Sequence, residues 1–220
     1  SYNSLLVLPE GEDQFLSYRK HHLVIFGETI PYVEQLSFLA WLFEKSAGVK
    51  YTGSFDVGTG HDPLLVPHRG FDDGAVAVIP SICFEDTVPR LVRKFAVNGG
   101  QVIVNVTNDG WFKESEAAAQ HFANARFRCI ELRRPRVRCS TTGVSAGVGV
   151  TGRVGDPVTG EARALVDEEG NHLTRGWLFA TAHVPVDGPL TLYARWGDWF
   201  SAWGLAIGFA WSVTGRLRRG

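Results

Sequence analysis

Short apolar runs alternate with segments of helical period along most of this chain. SLLVL (4–8), HHLVIF (21–26), AVAVIPSIC (75–83) and QVIVNV (101–106) are nearly unbroken hydrophobic stretches. That is the pattern of strands covered on both faces. Residues 31–48 place Pro31 in a first turn, Val33, Leu36, Ala40 and Phe43 on one face, and Gly48 at the stop, which predicts a helix. Helices are also predicted at 87–100, which ends on a Gly pair, and at 114–132. In the latter, Ala118, Phe122, Ala125, Cys129 and Leu132 form one stripe at helical spacing. Residues 136–150 read as two short strands with a bend at Gly143, and 175–186 as a late strand. Residues 50–74, rich in Gly, Asp, Pro and His, predict a long loop of the kind that often carries function. The alternation of strands and helices predicts an α/β layered domain over 1–195.

The tail breaks this pattern. Residues 199–215 carry no charge and are followed by RLRRG. Seventeen residues lie at the short edge of the roughly 17–25 that span a bilayer. The basic flank fits a cytoplasmic end, with Trp196 and Trp199 at the opposite interface. Residues 196–220 are therefore expected to form a C-terminal transmembrane helix and basic tail. A buried terminal helix is the alternative.

Composition narrows the function. A chain of 220 residues, 45% hydrophobic and 20% charged, is globular and large enough for a sizeable core. A net charge of −1 gives no electrostatic case for nucleic acid. Three cysteines without a CxxC pair suggest neither a disulfide framework nor zinc. Met is absent even at position 1, which predicts that the chain begins inside a longer one.

Among the cysteines, Cys129 lies on the helical stripe and Cys139 alternates with Val137, so both are expected to be packed. Cys83 ends its strand, and ligands of α/β sheets bind outside the carboxyl ends of strands. A helix is expected to begin just beyond it, and N–H groups there can stabilise a thiolate or an oxyanion. The alternative is a cysteine used as a small core hydrophobe. A nucleophilic thiol needs a base and an oxyanion partner. Lys20 and Glu28, flanking the predicted strand 21–26, are the candidates, although most such residues are simply solvated.

YRKHHLVIFGETIP, ICFED and the block from NVTNDGWF through RCSTTGVSA follow one another with plausible gaps, and TLYARWGDWFSAWGL leads into the apolar tail. Together these motifs resemble the nitrilase-type domain of the apolipoprotein N-acyltransferase family, in the carbon–nitrogen hydrolase superfamily. The resemblance implies a partial αββα sandwich on the periplasmic side of a bacterial inner membrane, followed by a transmembrane helix. It implies Cys83 as nucleophile, Lys20 as the catalytic lysine and Glu28 as a second important glutamate. Phe84, Glu85, Asn108, Trp111 and Phe112 match residues around the substrate. A phospholipid acyl donor and an apolipoprotein acceptor are implied, with no cofactor or metal. The sequence departs from the family at Ile25, where Pro is usual, and at Phe84, where Tyr is usual. The general-base glutamate of the family matches no position here, because Glu10 lies downstream of the corresponding strand. It is expected upstream of Ser1, and this chain alone is expected to be nearly inactive. A soluble amidase or nitrilase, and a non-catalytic nitrilase-like module, remain the alternatives.

Overall fold

The computed structural model describes residues 1–217 except 37, 49, 52, 114, 156–163 and 186–187. Two sheets form the framework. Strands β1 (Ser4–Val7) and β2 (Leu16–Arg19) make an antiparallel hairpin. The larger sheet has the order β3–β4–β5–β6–β7, with β3 at Leu64–Pro67, β4 at Ala75–Ile82, β5 at Val102–Thr107, β6 at Arg136–Ser140 and β7 at Ala146–Val148. Its central pairs, β4–β5 and β5–β6, are parallel, and its two edges are antiparallel.

Helix α2 (Pro89–Val97) begins on Pro89 and buries Val92, Phe95 and Ala96, which share a face at i, i+3 and i+4. Helix α3 (Ala117–Leu132) buries Ala118, His121, Phe122, Ala125, Arg128, Cys129 and Leu132. The predicted apolar stripe is therefore the buried face, and a histidine and an arginine share it. Ile79, Val92, Phe95, Ile103 and Leu132 form the main core, which Leu5 and Tyr18 of the hairpin join.

Strand register explains where polar groups enter this core. Ile79, Ile103 and Arg136 are aligned across β4, β5 and β6, as are Ser81, Asn105 and Arg138. Alternate residues of a strand share a face. The same face thus runs from Ile79 to Ser81 and from Ile103 to Asn105. In β4 and β5 it is apolar at first and polar toward the carboxyl ends, while β6 adds an arginine at both levels.

Several expectations are corrected. Residues 21–26 do not form a strand; the strand is β2, just before them. The N–H groups of His21 and His22 bond the Glu85 carboxylate, and that of Val24 bonds Glu28. The donors a ladder would use are thus taken by side chains, and Phe26 has a positive φ of 64°. The predicted helix 31–48 shortens to α1 (Phe38–Ala47), because Tyr32 sits at φ 62° in a turn. The loop 50–74 contains β3. The late strand is irregular over 175–185, and Val186 lies outside the described residues. Cys139 is exposed.

After the short helix α4 (Leu192–Trp196), α5 covers Trp199–Leu217. Among the described residues no helix is long and apolar enough to cross a membrane. The uncharged part of α5, 17 residues, is about 25 Å long at 1.5 Å per residue, against a hydrocarbon core of about 30 Å. Gly, Ser, Thr and Trp also lower its hydropathy. Arg218 and Arg219 of the basic tail lie outside the described residues.

Candidate active site

Cys83 follows the last residue of β4 and opens a 3-10 turn, Cys83–Thr87. Its φ is 54°, a left-handed conformation that costs a non-glycine residue on the order of 1 kcal/mol or more. Such strain persists only where neighbours enforce it, and two neighbours do so. The Glu85 carboxylate reaches back to the Ile82 N–H at 2.8 Å. The Asn105 amide donates to the Cys83 carbonyl at 3.2 Å and to Ser81 Oγ at 3.1 Å. Cys83 itself is partly exposed.

Glu85 also ties this turn to the lysine segment. Fully buried, it accepts from the Tyr18 hydroxyl at 2.9 Å and from the N–H groups of His21 and His22 at 2.7 and 2.9 Å. Burial, followed by the adjacent Glu85 charge, pushes the Tyr18 phenol well above its ordinary pKa, so Tyr18 remains a donor. The backbone directly after Lys20 is thereby docked on the turn that carries Cys83. Its four bonds leave Glu85 facing inward, as a brace for both segments.

Lys20 is 1% exposed, and its Nζ lies 2.7 Å from Glu28 Oε2. Glu28 also accepts from Asn3 Nδ2 at 2.6 Å and from the Val24 N–H at 2.8 Å. Burial raises the Glu28 pKa, but Lys20 and these donors outweigh it and hold the carboxyl below its ordinary value. Glu28 lines a cavity of about 380 Å³ with Phe26, Phe43, Tyr51 and Trp111.

The remaining expected residues form a rim. Phe84 and Trp111 are exposed, and the Phe84 and Phe112 rings lie 5.8 and 6.0 Å from that of His121. Asn108 spends its side-chain oxygen inside the rim, accepting from the Gly110 N–H and Thr142 Oγ1. The structure thus joins Lys20 to Glu28 directly, joins both to the Cys83 turn through Glu85, and brings Trp111 to the Glu28 cavity.

Sequence reasoning missed Tyr18 and Asn105, and with them a buried ionic cluster. Asp86 accepts from Arg136 and Arg138, and Asp109 accepts from Arg138 at 2.6 Å. His121 lies between the two carboxylates, 3.0 Å from Asp86 and 2.9 Å from Asp109. The signals were present: a lone Asn inside VIVNV, Arg at alternate positions of RVR, and a histidine three residues after Ala118 on the buried stripe.

The carbon-nitrogen hydrolase family matches residues 1–174. The chain is 34% identical over 200 residues to "Apolipoprotein N-acyltransferase" of Bdellovibrio bacteriovorus, covering 90% of this chain and 33% of that protein. It is 35% identical over 198 residues to the protein of the same name in Bradyrhizobium diazoefficiens, covering 90% and 32%. It therefore spans about a third of the length of the curated relatives it matches. Among solved structures, a carbon-nitrogen hydrolase from Helicobacter pylori is similar, with a TM-score of 0.48 and 17% identity over 69% of this chain and 50% of that one. With the family match covering most of the chain, this chain belongs to the carbon-nitrogen hydrolase family.

Proposed function

We propose that this chain is the catalytic part of an apolipoprotein N-acyltransferase, working through a thioester on Cys83. In the first half-reaction Sγ gives its proton to a carboxylate base and attacks the ester carbonyl of a phospholipid. The C–O bond breaks, and the lysophospholipid leaves with a proton. In the second, the α-amino group of a diacylglyceryl-cysteine lipoprotein attacks the thioester. The C–S bond breaks, the amine proton is lost, and the thiolate returns. Lys20, fixed by Glu28, and N–H groups at the Cys83 turn stabilise the two oxyanions.

The observation that carries this reading is the Cys83 turn itself, enforced at φ 54° and docked through Glu85 onto the Lys20 segment. Similarity to the named relatives over 90% of the chain supports acyl transfer over amide hydrolysis. Exposed apolar side chains support a lipid donor: Phe26 and Trp111 line the Glu28 cavity, and Phe84 directly follows Cys83. The transmembrane placement of α5, with the catalytic domain on the periplasmic side of the inner membrane, belongs to the same proposal. It is supported by Phe200, Trp203, Leu205, Ile207, Phe209 and Trp211, which stand exposed all around the helix.

The test is direct. The chain in detergent is incubated with a phospholipid and, separately, with an activated p-nitrophenyl acyl ester that needs little base assistance. A hydroxylamine-labile acyl group on Cys83, absent from Cys83→Ala, is expected at least with the activated ester. No adduct on Cys83 with either donor, or turnover of simple amides in its place, would overturn the proposal.

A further inference from the structure

The buried ionic cluster links two segments of the site. Asp86 belongs to the nucleophile turn, and Asp109 opens the rim turn Gly110–Phe112. His121 of α3 bridges them, with Nε2 on Asp86 and Nδ1 on Asp109. Both carboxyls are held below their ordinary pKa: burial opposes this, but arginine and histidine partners outweigh it. An ionised carboxylate only accepts hydrogen bonds, so both ring nitrogens must carry a proton to serve both partners. We propose that His121, as an imidazolium, is a positioning residue that straps the rim 108–112 to the Cys83 turn, and that losing its Nδ1 proton loosens the rim side alone.

The asymmetry follows from the neighbours. On the Asp86 side, Arg136 and Arg138 both donate to the carboxylate, so that side stays anchored without the histidine charge. On the other side, Arg138 Nη2 lies 3.2 Å from Nδ1 and also holds Asp109. Once Nδ1 is a bare acceptor, Arg138 can donate to it, while Asp109 Oδ1 faces its lone pair at 2.9 Å. Thr107 Oγ1 still donates to that same oxygen at 3.0 Å. The other faces of the ring meet Phe84 and Phe112, which carry no charge. Burial and Arg138 pull the His121 pKa down, but the two aspartates outweigh them and raise it. The sign is therefore fixed: the strap is complete below the ordinary histidine pKa of 6.5 and is lost as pH rises through the higher folded value.

This inference rests on the reading of the Cys83 turn as the nucleophile turn, but its test needs no substrate. The chain, labelled with 15N-histidine, is titrated by NMR, and amide exchange of 83–88 and 108–113 is followed between pH 6 and 9, corrected for intrinsic rates. Both His121 ring nitrogens should be protonated at pH 6. Exchange in 108–113 should rise about 10-fold or more through the His121 midpoint, the size of one charge-assisted bond, while 83–88 stays protected. His121→Gln should keep 108–113 fast at every pH. Asp109→Asn, whose amide can donate to an unprotonated Nδ1, should abolish the step. A bare ring nitrogen at pH 6, no step in 108–113, or the same step retained in His121→Gln would overturn the strap. An intact step without any acyl adduct on Cys83 would instead sink the acyl-transfer reading.

Discussion

Lys20 and Glu28 are partners with unequal burial, so removing one is not equivalent to removing the other. Glu28→Leu leaves Lys20, 1% exposed, as an ammonium without a counter-charge. Breaking a buried pair in this way costs about 3–5 kcal/mol. Lys20→Met leaves Glu28 15% exposed and still bonded to Asn3 and the Val24 N–H. That change removes one charge-assisted bond from a partly hydrated group, about 1–2 kcal/mol once screening is allowed for. For a chain of this size, each 1 kcal/mol shifts the melting temperature by about 2–4 °C. Glu28→Leu should therefore lower it by roughly 6–20 °C and Lys20→Met by roughly 2–8 °C. The double variant should be more stable than Glu28→Leu, since no charge is left buried alone. Differential scanning fluorimetry in detergent, backed by urea titration, measures all three. The Glu28 carboxyl is held below its ordinary pKa of 4.5. The wild-type advantage over Glu28→Leu should thus be complete above that pH and fade as pH falls through the depressed value. Equal losses in the two single variants, or strict additivity in the double, would refute the argument from unequal burial.

Thiol chemistry and packing give two further predictions. Under a limiting alkylating reagent, mass spectrometry should find Cys83 and the exposed Cys139 modified and Cys129 untouched, because Cys129 is buried and its thiol is pushed up to about 12; modification of Cys129 in the folded chain would contradict its packing. Gly100→Ala should destabilise by about 2–3 kcal/mol, since its Cβ would fall 2.3 Å from Ile79 Cγ1 and 2.8 Å from the Phe95 carbonyl; a urea midpoint equal to wild type would refute the close approach.

The buried faces of α2 and α3 and strands β1, β4 and β5 were legible because each is governed by its own local period. Segment 21–26 was not, although HHLVIF has the composition of a strand. Its N–H groups are captured by Glu85, more than sixty positions away, and by Glu28, and no local pattern reports a carboxylate arriving from elsewhere. The same limit applied to the site. Cys83, Lys20 and Glu28 could be singled out by residue type and place along the chain. Asn105, Asp86 and His121 acquire meaning only when three strands and a helix are aligned.

That alignment makes the ionic cluster a proofreader of strand pairing. If β6 slipped by one residue against β5, Arg136 and Arg138 would turn to the opposite face. Val137 and Cys139 would then meet Asp86 and Asp109, leaving two buried carboxylates without their arginines and two guanidiniums without their carboxylates. Each such charge costs several kcal/mol, a large share of the 5–15 kcal/mol that separates a folded domain from its unfolded chain. A sheet of valines and isoleucines alone would tolerate neighbouring registers far better. Chains that assemble in the wrong register would therefore fail to fold, and would not persist as well-packed protein without a site.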